Sequence, residues 1–126
     1  MRDIRFRGLT DEKKWVYGYL HQRLISTDEV TFCIQEKLGT DIEVIPESIE
    51  QFTGLRDKNG VEVYEGDIVS DSENKYIVAF YMGAWRLKRN VDGDTWWKSL
   101  YRYTTKSKFE IVGNIYESPE LIKEEK

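Results

Sequence analysis

"FTGLRDKNGVEVYEGDIV", Phe52 to Val69, sets three glycines, two aspartates and one asparagine among closely spaced apolar residues within eighteen positions. Such punctuation belongs to tight turns between short strands, because glycine reaches positive φ without steric cost and Asn and Asp bond their own backbone. Asn59-Gly60 is the dipeptide that a two-residue type I′ hairpin asks for, and it lies between Leu55 and the pair Val61, Val63. Gly66-Asp67 reads as a second turn that launches Ile68 and Val69 as a strand, with Asp67 able to accept hydrogen bonds from nearby amides.

Working outward toward the N-terminus, Ile4 and Phe6 alternate with Arg5 and Arg7, which predicts a short strand with one buried face and a basic outer face. The run from Lys14 to Ile25 is rich in aromatic and β-branched residues and predicts a second strand, with Thr10 to Lys13 as the turn before it. Between Ser26 and Gly39 two readings compete. Ser26 or Thr27 would cap a helix that stops at Gly39, but "VTFCI" is made of strand formers, and strand is favoured. "DIEVIPESI" then alternates again, and Pro46 confines it to an edge or a strand end.

Toward the C-terminus, "KYIVAFYMGAWRLKR" predicts strand, bend at Gly83 and strand, and "VDGDTWWKSLYRYT" a turn at Asp92-Gly93 followed by an aromatic strand. Lys108 to Glu117 forms the last strand, with a bulge at Gly113. Ser118 as N-cap, Pro119 at the first helical position and Glu120 in the first turn predict a short terminal helix. Strands at this spacing make the fold class mainly β, α+β at most. The expected architecture is a small SH3-like barrel with its C-terminal helix over residues 51–126, packed against a β-rich N-terminal lobe over residues 1–50, or one continuous domain.

Composition narrows the function classes. A chain of 126 residues buries roughly two-thirds of its unfolded surface and needs no metal or disulfide to fold. The net charge of -4 argues against a protein that holds nucleic acid by bulk electrostatics. Cys33 is the only cysteine, so no intramolecular disulfide or thiolate metal cluster can form, and a reducing cytoplasm is the expected compartment. Set in "TFCIQ", it reads as a buried small side chain. No stretch carries the apolar run of a signal sequence or a membrane span, so no membrane partner is expected.

Candidate chemistry is sparse. Asn90, Asp92 and Asp94 open like a calcium loop, but Thr95 and Tyr101 stand where that loop needs glycine and a carboxylate, so a hairpin turn is favoured. Glu62, Glu65 and Asp67 are close in sequence without a sign of a pocket around them. His21 is the only histidine, too few for a zinc site, and neither a nucleophile elbow nor a phosphate-binding glycine loop occurs. No catalytic set, metal or cofactor is expected. The strongest composite is "WRLKRN" with "WWKSLYRY": as two arms of one hairpin, alternation sends Trp85 and Leu87 to one face and Arg86 and Lys88 to the other, with Trp97, Tyr101 and Tyr103 opposite Trp96, Lys98 and Arg102. Trp85, Arg86, Lys88, Trp97, Tyr101 and Arg102 are therefore the candidate surface for a protein partner or a nucleic acid.

The segments "IRFRG", "VYGYL", "VIPESIEQFTGLRDKNGVEVYEGDIV" and "IVGNIYESPEL", in that order over nearly the whole chain, resemble the YopX family of bacteriophage and prophage proteins. The resemblance implies a phage or prophage origin, a bacterial cytoplasmic setting and homo-oligomerisation, and it brings no established activity, catalytic residue or cofactor. Within the central motif Asn59, Gly60, Gly66 and Asp67 read as scaffold. The resulting expectation is a non-catalytic, oligomeric protein-interaction module that binds a host or phage protein. The alternative is a nucleic-acid-binding accessory factor that uses the basic and aromatic hairpin.

Overall fold

The computed structural model describes residues 4–100 and 109–122. The chain divides into two compact units, Met1–Phe52 and Thr53–Lys126. Each has its own apolar core. Strands of two antiparallel sheets account for nearly all the regular structure among the described residues.

The first unit is built from β1 (Phe6–Leu9), β2 (Trp15–Leu24), β3 (Val30–Lys37), β4 (Thr40–Glu43) and the start of β5 (Glu50–Arg56), in the order β4-β3-β2-β1-β5. The competition over residues 26–39 resolves as strand, with Leu38-Gly39 as the hairpin turn and Gly39 at φ 82°. Register explains the core. Leu20 stands opposite Ile34, and Ile34 opposite Ile42, so strand alternation brings these side chains to one face. Ile34, Val16 and Val44 are the buried set, with Phe6, Leu20, Phe32, Ile42 and Ile49 packed at its margin. Pro46 starts a single 3-10 turn, Pro46–Ser48, beyond the edge strand β4. Fully buried Ser48 holds that turn to β1: its hydroxyl accepts from the Leu9 amide at 2.8 Å and donates to the Ile45 carbonyl at 2.6 Å.

The basic outer face expected for the first strand does not form. Arg7 stands opposite Glu50 across the β1–β5 ladder, its Nε donates to the Glu50 carboxylate at 2.8 Å, and both side chains are buried. Its guanidinium also lies 4.7 Å over the Trp15 ring. A paired, stacked guanidinium tolerates burial that a lone charge would not.

The second unit continues with the rest of β5, which takes β6 (Glu62–Tyr64) as its neighbour. It then forms an open sheet, β10-β9-β8-β7-β11, from β7 (Asp67–Ser70), β8 (Lys75–Tyr81), β9 (Ala84–Val91), β10 (Asp94–Ser99) and β11 (Glu110–Asn114). Val63, Val69, Tyr76, Val78, Leu87, Leu100 and Phe109 form its core. The closed SH3-like barrel expected from the sequence is absent: among the described residues β10 pairs only with β9, β11 only with β7, and these two edges stay apart. Closure would require the two edges to pair with each other. The bulge at Gly113 is present, as a register shift between Ile111 and Gly113. At the C-terminus Pro119–Ile122 make one 3-10 turn instead of an α-helix, and the rest of the predicted helix lies outside the described residues.

The opening stretch corrects one turn and explains the others. In the β5–β6 hairpin the Gly60 amide donates to the Asp57 carbonyl at 3.0 Å, so Lys58 and Asn59 are the central residues and both have negative φ. Gly60 follows at φ 81°, which makes a three-residue loop with a left-handed glycine instead of the expected type I′ turn on Asn59-Gly60. The reason is Asp57. Its buried carboxylate accepts from the Asn59 and Val61 amides, each at 2.9 Å, and from the Ile111 amide at 3.0 Å. Turns with two positive φ values do occur, at Met82-Gly83 and Asp92-Gly93, on either side of β9. Asp67, 1% exposed, accepts from the Tyr64 amide at 2.8 Å across the turn that contains Gly66 at φ 87°.

Two of these buried contacts and the half-buried carboxylate of Asp71 are open to direct test. Asp57→Ala leaves three amides to find other acceptors and destabilises the chain by about 3 kcal/mol in urea unfolding; a loss below about 0.5 kcal/mol, typical of surface changes, would show the carboxylate to be dispensable. Glu50→Ala strands the buried Arg7 charge and costs about 3 kcal/mol, whereas Arg7→Met with Glu50→Leu recovers most of that loss. Asp71 supplies a pH dependence. Burial pushes its carboxyl up, but the amides of Asn74 and Glu73, the Tyr76 hydroxyl and the Lys98 charge together hold it below its ordinary value of 3.8. A depressed carboxyl stabilises the fold above that value and loses its contribution as pH falls through the folded-state value. Thermal unfolding followed from pH 6 to about pH 2 should therefore show a shallower acid decline in Asp71→Asn.

Candidate functional site

The β8–β9–β10 meander has two different faces, and register decides which side chains meet. Val78 stands opposite Leu87, and Leu87 opposite Lys98, so this side carries the core, with Trp85 and Trp96 on the same side by alternation. Ile77 stands opposite Lys88, and Lys88 opposite Trp97, so Lys75, Ile77, Ala79, Tyr81, Arg86, Lys88, Asn90, Thr95 and Trp97 share the other side.

Of the predicted surface residues, the structure brings Arg86, Lys88 and Trp97 together. Trp85 is excluded from that group: it packs against the core and meets Phe80 edge-on, with ring centroids 5.1 Å apart. Tyr101, Arg102 and Tyr103 lie outside the described residues. Tyr81, absent from the sequence-based set, stacks on Trp97 at 4.2 Å with ring planes 2° apart. Its signal was the alternation of "KYIVAFY", which places it on the same side as Lys75. The Lys88 ammonium lies 5.8 Å over the Trp97 ring, and Arg86 Nε donates to the Tyr81 carbonyl at 2.8 Å. Among the described residues no carboxylate forms an ion pair with Lys75, Arg86 or Lys88.

At one end of this face a shallow cavity of about 30 Å³ is lined by Lys75, Ile77, Lys88, Arg89 and Asn90, with Leu121 and Ile122 from the 3-10 turn. Sites for drug-sized ligands run to roughly 300 Å³ or more, so this one suits a group of a few atoms. What the face can do chemically is hold anions and press against flat apolar or aromatic surfaces.

The remaining candidates are engaged elsewhere. Cys33 is fully buried, and that burial pushes its thiol up despite the opposing charge of Arg23, with Asp41 and Glu43 raising it further, so it is a poor nucleophile at neutral pH. His21 on β2 has its Nε2 2.7 Å from the Asp41 carboxylate. Of the three neighbouring carboxylates, Glu62 lies 3.4 Å from Arg56 and Asp67 caps its turn. Asn90, Asp92 and Asp94 belong to the β9–β10 hairpin, where the Thr95 hydroxyl donates to the Asn90 side chain at 2.9 Å. Among the described residues no three His, Cys, Asp or Glu side chains gather in a way that could hold a metal, and no helix is long and apolar enough to cross a membrane.

Comparison with known proteins places this arrangement in a family. No curated protein matches the chain. Among solved structures it is similar to protein EF1440 from Enterococcus faecalis, with 26% identity, a TM-score of 0.51, and coverage of 98% of this chain and 100% of that one. The family model described as YopX protein matches residues 5–123, nearly the full length and including the turn-rich centre, the Arg7 strand and the basic meander; the chain belongs to the YopX family.

Proposed function

We propose that this chain is a non-catalytic accessory protein of phage or prophage origin, working in the bacterial cytoplasm, that acts by binding protein surfaces, copies of itself among them. The observation that carries this reading is the exposed Tyr81 stacked on Trp97 beside Arg86 and Lys88, on a sheet face where these two cations have no carboxylate partner among the described residues. Trp, Tyr and Arg are the residues that dominate binding energy in protein interfaces, where rigid rings supply contact area at small entropic cost. The uncompensated positive charge favours a partner with an acidic rim.

Single-stranded nucleic acid is the competing reading, since cations beside a tryptophan are what such proteins use. The stack weighs against it. One face of Trp97 is already covered by Tyr81, so a base would have to displace a ring before it could stack there.

Affinity capture separates the two. The tagged chain and its Trp97→Ala and Arg86→Gln/Lys88→Gln variants, each checked for unchanged thermal unfolding, are used on lysate of the bacterium that encodes it, with and without nuclease. The expected result is a protein partner that survives nuclease and moderate salt and falls at least about tenfold with Trp97→Ala, more than with the charge variant. Capture of nucleic acid that nuclease removes, lost chiefly in the charge variant, would overturn the proposal.

A further inference from the structure

We propose that the cavity between the β8–β9 pair and the Pro119–Ile122 turn is a binding site for a single phosphate-type oxyanion. Two cationic side chains from the same sheet face, Lys75 and Lys88, line a space of about 30 Å³ together with the amide-bearing Asn90; Arg89, also at the rim, projects its side chain from the other face, and no carboxylate is among the lining residues. The ladder explains why the two lysines meet. Ile77 stands opposite Lys88, so Lys75, two positions before Ile77, projects from the same side of the sheet.

Lys75 and Lys88 form no ion pair among the described residues, and like charges that gather without a counter-charge repel one another. A chain with a net charge of -4 has acidic residues in excess, yet none lines this cavity. Ile77, Leu121 and Ile122 supply an apolar wall, beside which charge-assisted hydrogen bonds strengthen because less water competes for them.

Size and donor type set the ligand class. The cavity holds the equivalent of about two waters, enough for the oxygens of one tetrahedral anion seated partly in solvent and too little for a sugar or a base. Ammonium and carboxamide N–H groups match the acceptors of a phosphate dianion. That chemistry comes either as free inorganic phosphate or as a phosphomonoester on another molecule. The site shares Lys88, whose ammonium lies 5.8 Å over the Trp97 ring, with the aromatic face, so Lys75→Gln is the variant that separates the two: it weakens anion binding while Trp97→Ala is the change that abolishes partner capture.

The test is an amide NMR titration of the ¹⁵N-labelled full chain with inorganic phosphate, against sodium chloride at matched ionic strength. Saturable shifts confined to the amides of Lys75, Ile77, Lys88, Asn90, Leu121 and Ile122, seen with phosphate and not with chloride, are expected. Lys75→Gln and Lys88→Gln should each weaken binding about tenfold, and both side chains project from the sheet, so either variant serves if the other fails to fold. A phosphoserine peptide that binds more tightly than phosphate assigns the site to a modified protein, and the reverse order assigns it to the free ion. Non-saturating shifts, equal shifts in chloride, or unchanged affinity in a folded lysine variant would overturn the proposal. So would saturation of the same amides by a single-stranded oligonucleotide alone, with a steep salt dependence.

Discussion

The carboxylate of Asp57 is the contact on which the second unit depends. One buried side chain takes two amides of its own hairpin loop and one from β11, a strand more than fifty residues later in the chain. Backbone bonds from the same loop reinforce it: the Lys58 amide donates to the Phe109 carbonyl, and the Asn59 side chain reaches the Glu110 carboxylate. The turn is therefore both a chain reversal and the seat of the last strand. Phe109 and Ile111, held in this way, close the apolar core around Val63 and Val69.

In the first unit a similar economy appears with different chemistry. Arg7 and Glu50 join β1 to β5 by a buried ion pair, Trp15 covers the guanidinium, and Ser48 ties the 3-10 turn to the end of β1. Buried pairs of this kind contribute little net stability compared with apolar side chains, but breaking one is costly. Their effect is to penalise a slipped register, because a one-residue shift of β1 would turn Arg7 to the other side of the sheet and leave Glu50 unpaired.

The meander face stands apart from these scaffold contacts. Its cations are held near rings and backbone carbonyls in place of carboxylates, and its aromatic pair is only partly covered. A purely structural sheet face would usually answer lysines and arginines with acidic neighbours across the strands. Here the surrounding acidic residues are used elsewhere: Asp71 binds its own turn and the Tyr76 hydroxyl, and Glu110 receives Asn59. The surface left over is positive and aromatic on a chain whose overall balance is acidic. That contrast, more than any single residue, is what the proposed binding role rests on.

Strand content, most turn positions, the bulge at Gly113, the burial of Cys33 and the grouping of Arg86 with Lys88 were legible in the sequence, because alternation and glycine placement are local properties that need no knowledge of partners. Family membership was legible for the same reason, since the turn-rich centre is a contiguous motif. Three things were decided only by the tertiary structure. Arg7 went inside because Glu50 and Trp15 meet it from distant segments; the Asp57 loop changed type because Ile111 shares its carboxylate; and Trp97 joined Lys88 and Tyr81, while Trp85 went to the core, because ladder register sets which side chains are neighbours. Each depends on pairing between residues far apart in the chain, and a period-two pattern states which residues share a face but not which strand, or which charge, will lie beside them.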